Sequence, residues 1–135
     1  MKRSASTGRI EYGRIIWARV ADRNGFVKER PAIIVSDPAD AHAGTPLVIV
    51  AITTTFSDPL PEWHVLLPWN RDGRRVMTQL SSRSAAVVGW FDTVDRHDVI
   101  EVRGTVPAKQ MGRIEELMRL WYAAKEMDGN QSDLD

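Results

Sequence analysis

Apolar residues fall along this chain in short β-branched runs separated by Gly, Pro, Asp and Asn, and only the last third changes to a helical period. Runs of this kind read as buried strands. Tyr12 to Ala21, carrying Ile15, Ile16, Trp17 and Val20, predicts a first strand. The Asp22-Arg23-Asn24-Gly25 turn then leads through Lys28 into a second, Glu29-Arg30-Pro31-Ala32-Ile33-Ile34-Val35-Ser36. A third run, Pro46 to Thr55, follows a linker from Asp37 to Thr45 that can close a hairpin but is too short for a crossover helix. The two runs should therefore pair antiparallel, and if Ser36 faces Leu47 then Arg30 faces Thr53.

The break Ser57-Asp58-Pro59-Leu60-Pro61 precedes a short fourth strand, Trp63 to Leu67, stopped by Pro68. Asn70 to Arg75 and Ser81 to Ser84 read as loops, with Val76 to Leu80 ambiguous between them. Ala85 to Phe91 reads as a strand whose central Gly89 signals a bulge or a close backbone approach. Ile100 and Val102 alternate with Glu101 and Arg103 in a last strand, Val99 to Val106. After Pro107 the spacing of Met111, Ile114, Leu117, Met118 and Trp121 predicts one amphipathic helix over about 108–127. Five or six hairpin-linked strands closed by a C-terminal helix predict a mostly β fold, a small, partly open antiparallel barrel. Its expected limits are a flexible basic N-terminal arm (1–12), one barrel domain with its helix (13–127) and a disordered acidic tail (128–135).

Composition narrows the chemistry. At 135 residues the chain is one domain with room for a core, and without cysteine it can form no disulfide, zinc–thiolate site or thiol nucleophile. No apolar run is long enough to span a membrane and no secretory leader follows Met1, so a soluble cytoplasmic protein is expected. Eighteen basic residues balance eighteen acidic ones, but Met1 to Val35 holds eight basic residues against three acidic. That local excess is either a solvated surface or a nucleic-acid footprint.

Arg30 sits at a strand entrance, before a proline that keeps it extended and withholds a ladder N–H. Thr53 and Thr54 end an otherwise apolar run, so cation and hydroxyls should share one rim. Such a group can hold a phosphate that gains charge in a transition state; alternatively Arg30 pairs with Glu29 or Asp22 and the threonines are ordinary strand residues. His42, His64 and His97 show no metal-ligand spacing, and no metal or cofactor is expected. His64, in an apolar strand, reads as a packed or partly exposed residue or as a base, and the Asp92 and Asp95 carboxylates as turn caps or acid–base groups.

The order Gly13-Arg14-Ile15-Ile16-Trp17, Arg30-Pro31-Ala32-Ile33-Ile34-Val35-Ser36, Val48-Ile49-Val50-Ala51-Ile52-Thr53-Thr54, then Ser84, Thr93-Val94-Asp95 and Gly104-Thr105-Val106 before a helix, resembles the PemK/MazF toxins of bacterial type II toxin–antitoxin systems. The resemblance implies an SH3-like barrel of the PemK/MazF/CcdB kind that forms a homodimer. It also implies a metal-independent endoribonuclease, cutting single-stranded RNA by 2′-OH attack and blocked by a cognate antitoxin. The family's catalytic arginine and threonine fall on Arg30 and Thr53, and an RNA groove would add Arg23, Lys28, Thr54, Arg74 and Arg75. Two positions where some members carry Arg and Asp hold Val87 and Gly89, the connection before the Arg-Pro strand lacks the usual Glu or His, and Ala51 replaces a frequent proline. Asp92 or His64 remain to substitute as acid–base groups. The alternative is a non-catalytic module of the same fold, a degenerate toxin or a CcdB-like topoisomerase inhibitor; the latter suits the long Tyr122 to Met127 continuation poorly.

Overall fold

The structure is a computed structural model that describes residues 9–22, 24–36 and 45–134, with side chains as far as Met127. Six strands, β1 (Arg14–Ala21), β2 (Val27–Ile34), β3 (Leu47–Thr53), β4 (His64–Leu67), β5 (Ser84–Val94) and β6 (Val99–Thr105), precede one helix, α1 (Ala108–Leu134). They form a single sheet in the order β4-β5-β3-β2-β1-β6, antiparallel at every pairing.

The central strands are nearly continuous in apolar residues because both their faces are buried. Ile15, Ile33, Val50 and Ile52 point to the layer covered by Met111, Ile114 and Leu117 of α1. Their neighbours Ile16, Ala32, Ile34 and Ile49 point the other way, into a second cluster with Val94 and Val102. Strands β5 and β6 are not neighbours in the sheet, so their meeting in that cluster requires the sheet to curl back on itself. The barrel stays partly open, as the sequence predicts, with β4 and β6 as its free edges.

Residues 68–83 lie across this gap. The Thr78 hydroxyl donates to the Pro68 carbonyl at 2.6 Å, the Thr105 N–H donates to the Met77 carbonyl at 2.9 Å, and the Gln79 amide donates to the Arg103 carbonyl at 2.8 Å. Gly104 is required here, since a Cβ would stand 1.9 Å from the Thr78 carbonyl oxygen.

The expected hairpin register is present: Ala32 faces Ala51, Ile33 faces Val50 and Ile34 faces Ile49. Its connection, residues 37–44, lies outside the described residues, as do residues 1–8 of the expected arm. Ile10 and Tyr12, assigned to that arm, pack on the two clusters, and the Tyr12 hydroxyl donates to the Glu115 carboxylate of α1. Strand β5 runs on to Val94, so Asp92 and Thr93 are strand residues, and Asp95 stands at the N-cap position of the 3-10 turn Arg96–Asp98 without a side-chain capping hydrogen bond. The ambiguous Val76 to Leu80 forms neither strand nor helix. α1 continues to Leu134, past the end expected near Met127. The apolar stripe marks only the packed part of a helix, whereas internal hydrogen bonding can carry it on through a glycine at a cost of about 1 kcal/mol.

Candidate functional site

Arg30 lies on β2 opposite Ala18 of β1, on the face that carries Ala32 and Ile34 into the second cluster. An apolar neighbourhood this close leaves a guanidinium only directed partners. Its Nε donates to the Val20 carbonyl at 3.2 Å, and Nη2 stands 3.6 Å from Oδ2 of Asp22. The guanidinium carbon sits 5.2 Å from the centre of the Trp90 ring. Asp22 is itself fixed, because Oδ1 accepts the N–H groups of Asn24 at 2.8 Å and Phe26 at 3.0 Å. Trp90 is anchored through Nε1, which donates to the Ala21 carbonyl at 3.3 Å. The Arg30 side chain is 16% exposed, so carbonyl, carboxylate and indole hold a planar cation at the surface with N–H donors to spare.

Trp90 reaches Arg30 because β5 is irregular. The β3–β5 register shifts between Val50, which faces Phe91, and Ile52, which faces Ala86. Within the shift Gly89 takes φ +109°, and the Val88 N–H donates to the Trp63 carbonyl at 2.8 Å. The bulge therefore sends Trp90 toward β2 and opens a cleft of about 700 Å³ against β4. Asp22, Glu62, Trp63, His64, Trp90 and Asp92 are among its walls.

Thr53 ends β3 opposite Ala85. Its hydroxyl donates to the Thr55 carbonyl at 3.2 Å and accepts the Thr55 N–H at 3.1 Å, a local turn that closes the strand. The β2–β3 ladder stops at Ala32 and Ala51; continued two residues outward, its register sets Arg30 level with Thr53, on one face of the sheet. Among the described residues no hydrogen bond joins the two.

The other expected site residues scatter. Lys28 is exposed on β2, two residues before Arg30 and on the same face. Thr54 is exposed beside Thr53. Arg74 and Arg75 are exposed in the 68–83 segment, which begins next to Leu67, the partner of Ser84. Arg75 lines a second cleft of about 420 Å³ with Asn70 and Gln79. Among the described residues no ion pair or hydrogen bond links Arg74 or Arg75 to Arg30 or Thr53. Arg23 lies outside the described residues. Val87 faces His64 across β4–β5, and with Gly89 it lines the cleft without supplying an acid or a base. Sequence spacing also missed that Asp95, His97 and Asp98 bring ligand atoms within 4.8 Å of one another at the 3-10 turn. The imidazole there lies 3.9 Å from each carboxylate, in a largely exposed cluster.

Sequence reasoning named Asp22 only as a possible ion-pair partner and missed Trp90. The one available signal was Gly89 in mid-strand, which marks the bulge but not the direction of the next side chain.

The fold is similar to that in crystal structures from Deinococcus radiodurans. MazF (Form-I) is 14% identical, with 84% of this chain and 96% of that chain covered at a TM-score of 0.65. MazE-MazF (Form-II) is 15% identical, covering 86% and 98% at 0.65. MazE-MazF (Form-III) is 16% identical, covering 84% and 95% at 0.63. At these identities the likeness is one of fold. No curated protein sequence matches the chain. A sequence profile of PemK-like, MazF-like toxins does match, over residues 11–122, a span that takes in every strand and the packed part of α1. The chain belongs to that family, the PemK-like, MazF-like toxins of type II toxin–antitoxin systems.

Proposed function

We propose that this chain is an endoribonuclease toxin that cuts single-stranded RNA without needing a metal ion. In this reading it acts in the cytoplasm as a homodimer and is silenced by a cognate antitoxin. Family membership supports the toxin role, and the MazE-MazF complexes among the fold's neighbours support a protein antitoxin. The observation that carries the chemistry is Arg30, a guanidinium held on three sides at the edge of a cleft and level with the hydroxyl-bearing end of β3.

The ribose 2′-oxygen attacks the adjacent phosphorus and the bond to the 5′-oxygen breaks. A 2′,3′-cyclic phosphate and a 5′-hydroxyl result. Arg30 stabilises the charge that gathers on the phosphorane and orients the leaving oxygen, while the Thr53 hydroxyl leaves its local turn to donate to a non-bridging oxygen. Losing one such contact costs about 3 kcal/mol, a factor of roughly 10² or more in rate. Lys28, Thr54, Arg74 and Arg75 extend the contacts to neighbouring phosphates.

The test is incubation of the purified protein with long single-stranded RNA in EDTA, beside Arg30→Ala and Thr53→Ala, with cuts read by primer extension. Discrete cuts by the parent, lost or strongly reduced in both variants while their circular dichroism is unchanged, are the expected result. A folded parent that binds RNAs of varied sequence but cuts none overturns the catalytic reading and leaves a non-catalytic binding module.

A further inference from the structure

Neither Arg30 nor Thr53 can take the 2′-hydroxyl proton. A guanidinium stays protonated at any ordinary pH, so Arg30 can stabilise charge but cannot act as the base. Thr53 is no base either. Val87 and Gly89, which line the cleft, offer neither an acid nor a base.

Resting on the ribonuclease reading, we infer that His64 is the general base of this site, taking the 2′-hydroxyl proton at Nε2. Placement is the first support. His64 faces Val87 across β4–β5, Leu66 faces Ala85, and Ala85 faces Thr53. Alternate residues share a face, so His64, Thr53 and Arg30 stand on the same side of the sheet. His64 also forms one wall of the 700 Å³ cleft whose other wall includes Trp90, the ring under Arg30.

The second support is the state of the ring. Nδ1 lies 3.1 Å from the Glu62 carbonyl, which can only accept, so Nδ1 carries the hydrogen and, in the neutral ring, the lone pair is on Nε2. The ring is partly exposed, with Phe56 at 6.4 Å between ring centres and the Arg83 guanidinium 4.5 Å from the Phe56 centre. Among the described residues, Asp22, Glu62 and Asp92 are the other ionisable groups that line the cleft.

The third is that two of those three carboxylates are engaged. Asp22 is committed to two backbone N–H groups and to Arg30, and Asp92 Oδ1 accepts the Thr93 N–H at 2.8 Å. A carboxylate would also set a negative charge against the phosphate it serves, whereas imidazole starts neutral and becomes a cation as the phosphorane forms. In the step, the O–H pair of the 2′-hydroxyl becomes the new bond from oxygen to phosphorus, and the proton passes to Nε2. The 5′-oxygen departs with the pair of its broken bond and is protonated by water.

The experiment uses an RNA oligonucleotide bearing one site cut by the parent, under single-turnover conditions in EDTA from about pH 5 to 9. Binding is measured separately with the 2′-O-methyl form, which lacks the nucleophile. For the parent the rate should climb about tenfold per pH unit on the acid side and then level off, as for a single general base. His64→Ala should lose roughly 10²- to 10⁴-fold in rate, flatten that limb and regain rate with added imidazole, while analogue binding stays within about twofold. His64→Gln serves if His64→Ala fails to fold.

A folded variant that keeps the parental rate and limb, or loses rate only in proportion to weaker analogue binding, overturns the assignment while the ribonuclease reading stands. A parent that cuts nothing overturns both.

Discussion

Gly89→Ala tests whether the β5 bulge builds the site. The residue has φ +109°, a backbone region that L side chains avoid, and holding it there costs about 1–3 kcal/mol. An added Cβ would stand 2.8 Å from Nε1 of Trp121, and 3.4 Å and 3.5 Å from the ring carbons Cδ1 and Cε2. The indole has little room to move, with Phe91 at 5.1 Å and Tyr122 at 5.4 Å between ring centres and the Lys125 ammonium 5.2 Å from its own. Overpacking of this kind costs about 1–3 kcal/mol, so a total of roughly 3 kcal/mol is expected. For a chain of this length each kcal/mol lowers the melting temperature by about 3–5 °C, which predicts a fall of about 10–15 °C by circular dichroism. The bulge also aims Trp90, so RNA cleavage at 25 °C should drop by more than the small unfolded fraction explains. A melting temperature within about 2 °C of the parent, with cleavage unchanged, would refute the argument that the bulge is both strained and needed.

Two further outcomes follow from charge. Burial, and then the Glu115 carboxylate that accepts its hydroxyl, push the Tyr12 phenol above its ordinary value of about 10. A raised folded-state value means this stabilisation is whole below about pH 10 and is lost as pH rises beyond it. The stability gap between parent and Tyr12→Phe in urea titrations should therefore be constant from pH 7 to about 10 and shrink above that; a gap that persists at pH 11 contradicts it. Binding of the 2′-O-methyl RNA should weaken linearly in log–log plots against salt, and Lys28→Ala, Arg74→Ala and Arg75→Ala should each lower the slope by about 0.7. A residue whose loss leaves the slope unchanged makes no phosphate contact.

The strand pattern carried the fold because the apolar runs are bounded by Gly, Pro and Asp, and two such runs have few ways to pair. The match of Ala32 with Ala51 is the register that follows if Ser36 faces Leu47. The placement of Arg30 level with Thr53 was legible for the same reason, since register propagates to strand ends. Trp90 was not. Its direction depends on a shift of register against β3, and period-2 reasoning fails wherever extra residues enter a strand. The 68–83 segment was equally opaque: its bonds to Arg103 and Thr105 join residues far apart in the chain, and no local periodicity encodes them.

The half-buried Arg30 itself separates folding from function. Its Nε bond to the Val20 carbonyl and an ion pair at 3.6 Å are modest returns for a cation only 16% exposed, set beside the Ala32 and Ile34 face. Replacing such a paired charge by an apolar side chain of similar size is often neutral or stabilising by about 1–4 kcal/mol. Asp22 keeps its two backbone N–H partners and is 28% exposed, so water can solvate the oxygen that Arg30 leaves. Arg30→Leu should therefore fold with a urea midpoint at or above that of the parent and make no detectable RNA cuts. If it instead unfolds at markedly lower urea, the arginine is there to hold β2 to the Asp22 turn, and loss of cleavage in Arg30→Ala would say nothing about phosphate. If stability holds while cleavage vanishes, the fold carries this cation at its own expense, and the cleft beside it is where that expense is returned.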